Sequence, residues 1–133
     1  MNNKCDKMTE KIALASCNGM SVNGLVSRVA VGDCKKENSN IISICMGSTS
    51  ADVEGLNDYV LKKFPIIAIN GCDNACVNKI LNSKGIDVSK TVGVGDVLKE
   101  HKVFSTDPFR LDDDGEKCVE IIKNKINNEI KTI

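Results

Sequence analysis

Ile12-Ala13-Leu14-Ala15-Ser16-Cys17 begins a pattern that decides the architecture of this 133-residue chain. The design returns at Ile41-Ile42-Ser43-Ile44-Cys45, and again at Ile66-Ile67-Ala68-Ile69 followed by Asn70-Gly71-Cys72. Each short apolar run leads into a cysteine. Positions 17, 45 and 72 lie 28 and 27 residues apart, matching one strand–helix–strand unit of about 30 residues.

The intervening segments have helical spacing. Val22, Leu25, Val26, Val29 and Ala30 follow the i, i+3, i+4, i+7, i+8 rule after the first run, and Gly32 is the expected stop of that helix. Val53, Leu56, Val60 and Leu61 form a second stripe, with Ser48, Thr49 and Ser50 as N-cap candidates and Phe64-Pro65 as the terminator. Asp73 is the expected cap of a third helix bearing Val77, Ile80 and Leu81, which Gly85 ends. Thr91 to Val94 reads as a fourth strand and Asp96 to His101 as one helical turn. Val103 to Leu111 reads as a loop or short edge strand. A final helix starts at Asp112–Glu116 and turns Val119, Ile122, Ile126 and Ile130 inward.

Alternating strands and helices with short connections specify an α/β fold with right-handed crossovers. The expected architecture is three-layered and flavodoxin- or Rossmann-like, a mainly parallel four-stranded sheet of order 2-1-3-4 with flanking helices. Residues 1–133 read as one domain. Its core spans about 11–101, and a C-terminal loop and helix occupy 102–133.

Composition narrows the function. Eighteen basic residues balance 18 acidic ones, and there is no Trp, one Tyr and three Phe. Neither a basic footprint nor a stacking platform for nucleic acid is present. No apolar run approaches the roughly 18 residues of a membrane span, and the polar start, Met1 to Lys7, lacks the apolar stretch of a signal peptide. The expected compartment is the cytoplasm, where thiols stay reduced. Seven cysteines there point to metal or redox chemistry rather than to a disulfide framework.

Order 2-1-3 gathers Cys17, Cys45 and Cys72 at one end of the sheet, with Cys76 one helical turn further on. Open α/β sheets place their ligands at that end. Neighbouring strands lie about 4.8 Å apart, close to the roughly 3.8 Å between sulfurs around a tetrahedral zinc. Four thiolates around Zn²⁺ carry a formal charge of −2, which converging helix N-termini offset. The same surroundings favour the thiolate form. The bland alternative is that strand-end cysteines are small core hydrophobes, but four at one end favour a site. Metal ligands are therefore expected at Cys17, Cys45, Cys72 and Cys76. Zinc is the first expectation. An iron–sulfur cluster or a Cys72/Cys76 thiol–disulfide pair is the alternative on the same residues.

Cys34 is expected after the first helix, at the opposite end of the sheet. Cys118 lies on the last helix's apolar stripe, and Cys5 in a polar tail. His101, the only histidine, reads as a surface residue, with approach to the strand ends as the sharper alternative. Asp112–Asp114 lacks the alternating ligands of a calcium loop. Gly19, Gly24, Gly47 and Gly71, with Ser16, Ser21, Ser48, Thr49 and Ser50, form small turns that suit anion binding only weakly. Neither a Walker nor a Rossmann glycine pattern is present, and no C-x5-R loop follows Cys17.

Three segments, Ala15-Ser16-Cys17-Asn18-Gly19-Met20-Ser21, Ile44-Cys45-Met46-Gly47 and Asn70-Gly71-Cys72-Asp73-Asn74-Ala75-Cys76, resemble the DGC-domain family. The likeness runs from about Lys11 to His101. It implies a small domain with four chelating cysteines, described as zinc-binding without an assigned reaction, and these cysteines correspond to Cys17, Cys45, Cys72 and Cys76. The chain departs from the family's Asp-Gly-Cys with Asn70-Gly71-Cys72. Asn keeps the shape and the carbonyl acceptor but has no charge or titratable proton.

Overall fold

The computed structural model describes residues 10–55 and 58–133, so Cys5 and Leu56 lie outside the described residues. The elements in chain order are β1 (Ile12–Ser16), α1 (Val22–Glu37), β2 (Ile41–Ile44), α2 (Met46–Ser50) and α3 (Asp58–Lys63). They continue with β3 (Ile66–Asn70), α4 (Cys76–Ser83), β4 (Lys90–Gly93), α5 (Val94–His101) and α6 (Asp113–Lys131).

The four strands form one sheet of order β2-β1-β3-β4, and every pairing is parallel. This is the expected α/β architecture. All five residues of β1 and of β3 are buried, because central strands of a parallel sheet are covered on both faces. Side chains alternate between two cores. Ile12, Leu14, Ile67 and Ile69 join α1, α5 and α6 on one face. Ala13, Ala15, Ile66 and Ala68 face Met46, Val77 and Leu81 on the other. Residues 103–112 form no regular element, and Asp112 caps α6 by accepting from the Gly115 N–H at 2.7 Å. No helix among the described residues is long and apolar enough to cross a membrane.

Local expectations fail at several ends. Gly32 does not stop α1, which runs to Glu37 and is capped by Asn38. Packing of its Val31 and Cys34 into the core outweighs the roughly 1 kcal/mol helix penalty of one glycine. Cys34 is therefore inside the helix, in its last turn, rather than after it. The expected second helix is broken: α2 ends at Ser50, before Val53, and Val60 and Leu61 lie on the separate α3, with Asp52 (φ 56°) and Gly55 (φ 78°) left-handed in the turn between. The hydroxyl residues Ser48–Ser50 lie within α2, whose N-cap is Cys45. Asp73 does not cap α4. Ala75 occupies that position with φ 51° and no capping side chain. The final strand covers Lys90–Gly93, one residue earlier than read, and α5 has two turns rather than one.

Two glycines meet backbone rather than space. A Cβ on Gly24 would lie 2.3 Å from the Gly19 carbonyl oxygen, and one on Gly71 would lie 2.9 Å from the Gly24 nitrogen. The exit of β1, the first turn of α1 and the exit of β3 therefore close on one another. By contrast, a Cβ on Gly32 meets only the far end of the Arg28 side chain, at 3.3 Å. Gly24→Ala should lower unfolding stability by about 1–3 kcal/mol through overpacking, whereas Gly32→Ala should raise it by about 0.5–1 kcal/mol. Urea denaturation of the two variants tests the contrast, and equal effects would refute it.

Candidate strand-end cysteine site

The register puts three cysteine-bearing loops at one end of the sheet. Ala15 lies opposite both Ile44 and Ala68, and Ser16 lies opposite Ile69. Cys17 extends the ladder by one bond, its N–H donating to the Ile69 carbonyl at 2.8 Å. Cys45 follows β2 directly, and Cys72 stands two residues beyond β3. The two crossovers leave β1 and β3 on opposite faces, so the gap between these strands is the topological switch point of the sheet.

Each cysteine has its own local setting. Cys17 is half-buried, and its Sγ accepts from the Gly19 N–H at 3.4 Å. Cys45 is exposed, and its Sγ accepts from the Ser48 N–H at 3.5 Å. The Cys45 carbonyl also accepts from the Thr49 hydroxyl at 2.8 Å, which fixes the cysteine onto α2. Hydrogen bonding from Ser48, through its side chain and then its N–H, holds the Cys45 thiol below its ordinary range. Cys72 and Cys76 are both exposed, one in the loop after β3 and one as the first residue of α4.

The helix that carries Cys76 is capped from a distance. Asn70 Oδ1 accepts from the Val77 N–H at 3.1 Å, and the Asn70 amide donates to Asn78 Oδ1. Asn78 in turn donates to the Thr91 hydroxyl at 3.0 Å. A buried asparagine at the end of β3 thus ties α4 to β3 and β4. An aspartate at 70 would keep the Val77 bond but lose the donation. A turned-over Asn78 amide, accepting from Thr91, would restore the network.

The remaining candidates lie elsewhere. Cys34 and Cys118 are wholly buried in the core of α1 and α6. Burial, with Glu37 adding to it, pushes the Cys34 thiol up to about 11. Burial also raises Cys118, followed by Asp114 and Asp112. His101 closes α5, its ring bonded to the Val97 carbonyl at 3.0 Å.

All four strand-end cysteines are reduced thiols, and they share one end of the sheet. Among the described residues, no three or more Cys, His, Asp or Glu side chains are grouped closely enough to hold a metal ion. Their chemistry suits a soft cation, with Cys17 and Cys45 already accepting N–H donors as thiolates do. The structure brings the loops to one end but does not draw the sulfurs into a single shell.

Sequence reasoning missed three contributors. In the sequence Asn70 is only a departure from the family motif, whereas in the fold it is buried and caps the next helix. Gly24 and Gly71 look like turn formers in the sequence, whereas in the fold they make a backbone contact. Arg28 has no motif around it, and its one signal is that the chain has only two arginines.

Fold and loops together define a parallel α/β domain with reduced cysteines in the loops at the C-terminal ends of its strands. The profile of the DGC domain matches residues 13–125, and the chain belongs to this family. The match runs past His101 and through most of α6, so the C-terminal helix is part of the family's domain rather than an addition to it. No curated protein and no solved structure matches the chain.

Two measurements test this description. Asn70→Asp should stay within about 1 kcal/mol of the parent at neutral pH, whereas Asn70→Ala should lose about 1–3 kcal/mol by leaving buried partners unsatisfied. Denaturation of both variants at neutral pH reads this directly. With iodoacetamide at neutral pH, Cys45 should react well ahead of Cys34 and Cys118. Site-resolved mass spectrometry that found Cys34 as reactive as Cys45 would contradict the burial described above.

Proposed function

We propose that this protein binds a metal ion, zinc, through Cys17, Cys45, Cys72 and Cys76. The observation that carries this reading is the register of β1, β2 and β3, which leads three neighbouring parallel strands into cysteine-bearing loops at one end. Membership of the DGC-domain family supports it, as does an all-sulfur donor set, which zinc favours.

The exposed Cys72–Cys76 segment closes over Cys17 and Cys45 when the ion binds, so metal binding orders this end of the fold. Four thiolates leave no open coordination position, which gives the site a structural, sensing or carrying role rather than a hydrolytic one. A reducing compartment, the cytoplasm, keeps the thiols available.

Elemental analysis and absorption spectroscopy of anaerobically purified protein test the proposal. The expected result is colourless protein with one zinc per chain. Metal should be lost in Cys17→Ser and Cys76→Ser and kept in Cys34→Ala and Cys118→Ala. Visible charge-transfer absorption with stoichiometric iron would replace zinc by an iron–sulfur cluster on the same thiolates. Protein free of metal, or metal that survives both serine variants, would sink the reading.

A further inference from the structure

A cavity of about 390 Å³ opens beside the end of β2. Its volume falls within the range of small-molecule pockets, about 300–1,000 Å³. Val31 and Met46 supply apolar wall, Asn18 and Ser43 supply polar atoms, and Arg28 and Cys45 complete the part that matters here.

The charge of the cavity is one-sided. No Asp or Glu lines it, although the chain carries 18 acidic residues against 18 basic ones. Arg28 takes part in none of the ion pairs among the described residues. The Lys35 ammonium lies 3.4 Å from the Ser43 hydroxyl and brings a second cation to the rim. Gly32, one helical turn beyond Arg28, leaves room for the guanidinium, since a Cβ there would stand 3.3 Å from its Nη1.

A guanidinium presents a planar fork of donors that matches two oxygens of a carboxylate or a phosphate. We propose that this cavity binds a small organic anion, its carboxylate or phosphate group on Arg28 and its remainder against Val31 and Met46, beside the Cys45 thiol. The inference goes beyond the metal reading. It shares Cys45 with that reading but requires no metal.

The test compares two alkylating probes on chelator-dialysed full-length protein. Iodoacetate and iodoacetamide react alike: the thiolate sulfur displaces iodide and forms a carbon–sulfur bond. They differ in that only iodoacetate carries a carboxylate. Cys76, which does not line the cavity, is the internal reference in site-resolved mass spectrometry. The iodoacetate-to-iodoacetamide rate ratio at Cys45 should exceed that at Cys76 by about tenfold, the scale of one charge-assisted hydrogen bond. The preference should saturate with iodoacetate and be suppressed by acetate or inorganic phosphate, with the more effective anion identifying the head group. In Arg28→Gln the ratio at Cys45 should fall to that of Cys76. Equal ratios in the parent protein, or a preference that survives Arg28→Gln, would overturn the proposal. Zinc content of Arg28→Gln, measured separately, should equal that of the parent, so failure of the anion site is distinguishable from failure of the metal site.

Discussion

The cysteine-bearing end of this fold depends on a close approach of backbone to backbone. Parallel ladder bonds hold β1 and β3 together only as far as Ser16 and Ile69, with one further bond from Cys17. Beyond that, α1 and α4 leave toward opposite faces, and nothing in the ladder keeps the two exits near each other. The contact of the Gly19 carbonyl with Gly24, and of Gly71 with the Asn23–Gly24 backbone, takes over this task. Ser21 reinforces it by accepting from the Gly24 N–H at 3.1 Å. A methyl group at either position would separate the loops that carry Cys17 and Cys72. The glycines are therefore part of the site's construction, although they carry no chemistry.

The same fold gives one residue type two opposite characters. Cys34 and Cys118 sit where α1 and α6 close over the sheet, and loss of water raises both thiols. Cys45 stands at the start of α2, where donors from Ser48 lower its thiol. Neither outcome follows from the cysteine itself. Position relative to the strand ends decides it, because helix starts offer unsatisfied N–H groups and helix interiors do not.

The strands and their order were legible because they rest on apolar runs at a fixed period, a signal that survives errors at individual positions. The helix ends were less legible because long-range partners set them. Asp73 is the obvious local cap of α4, but the bond to the Val77 N–H comes from Asn70, seven residues earlier and on a strand. Gly32 carries a local stop signal that tertiary packing of α1 overrides. Arg28 stands 17 positions before Cys45 in the chain, and only the adjacency of β1 and β2 under α1 brings both to one cavity. What pattern and spacing dictate can be read from the chain. What two distant segments make together cannot.

Order 2-1-3 also divides the cysteine site into unequal halves. β2 and β3 flank β1, so the backbones leading to Cys45 and Cys72 are separated by two strand spacings, roughly 9.6 Å. Sulfurs on one tetrahedral zinc lie only about 3.8 Å apart, so a single ion must centre on Cys17 with its neighbours bending inward. Cys45 has little freedom to do so. Its carbonyl accepts from Ser48 and Thr49, and its sulfur accepts from the Ser48 N–H. Cys72 and Cys76 are exposed, with a left-handed Ala75 between them and Asn70 rather than the loop itself anchoring α4. Cys17 and Cys45 therefore form the preset half of the site. On the proposed metal reading, the stretch from Cys72 to Cys76 is the half whose movement would admit or release an ion. Arg28 lies on the preset side, where an anion bound beside Cys45 would contend with the metal for that thiol.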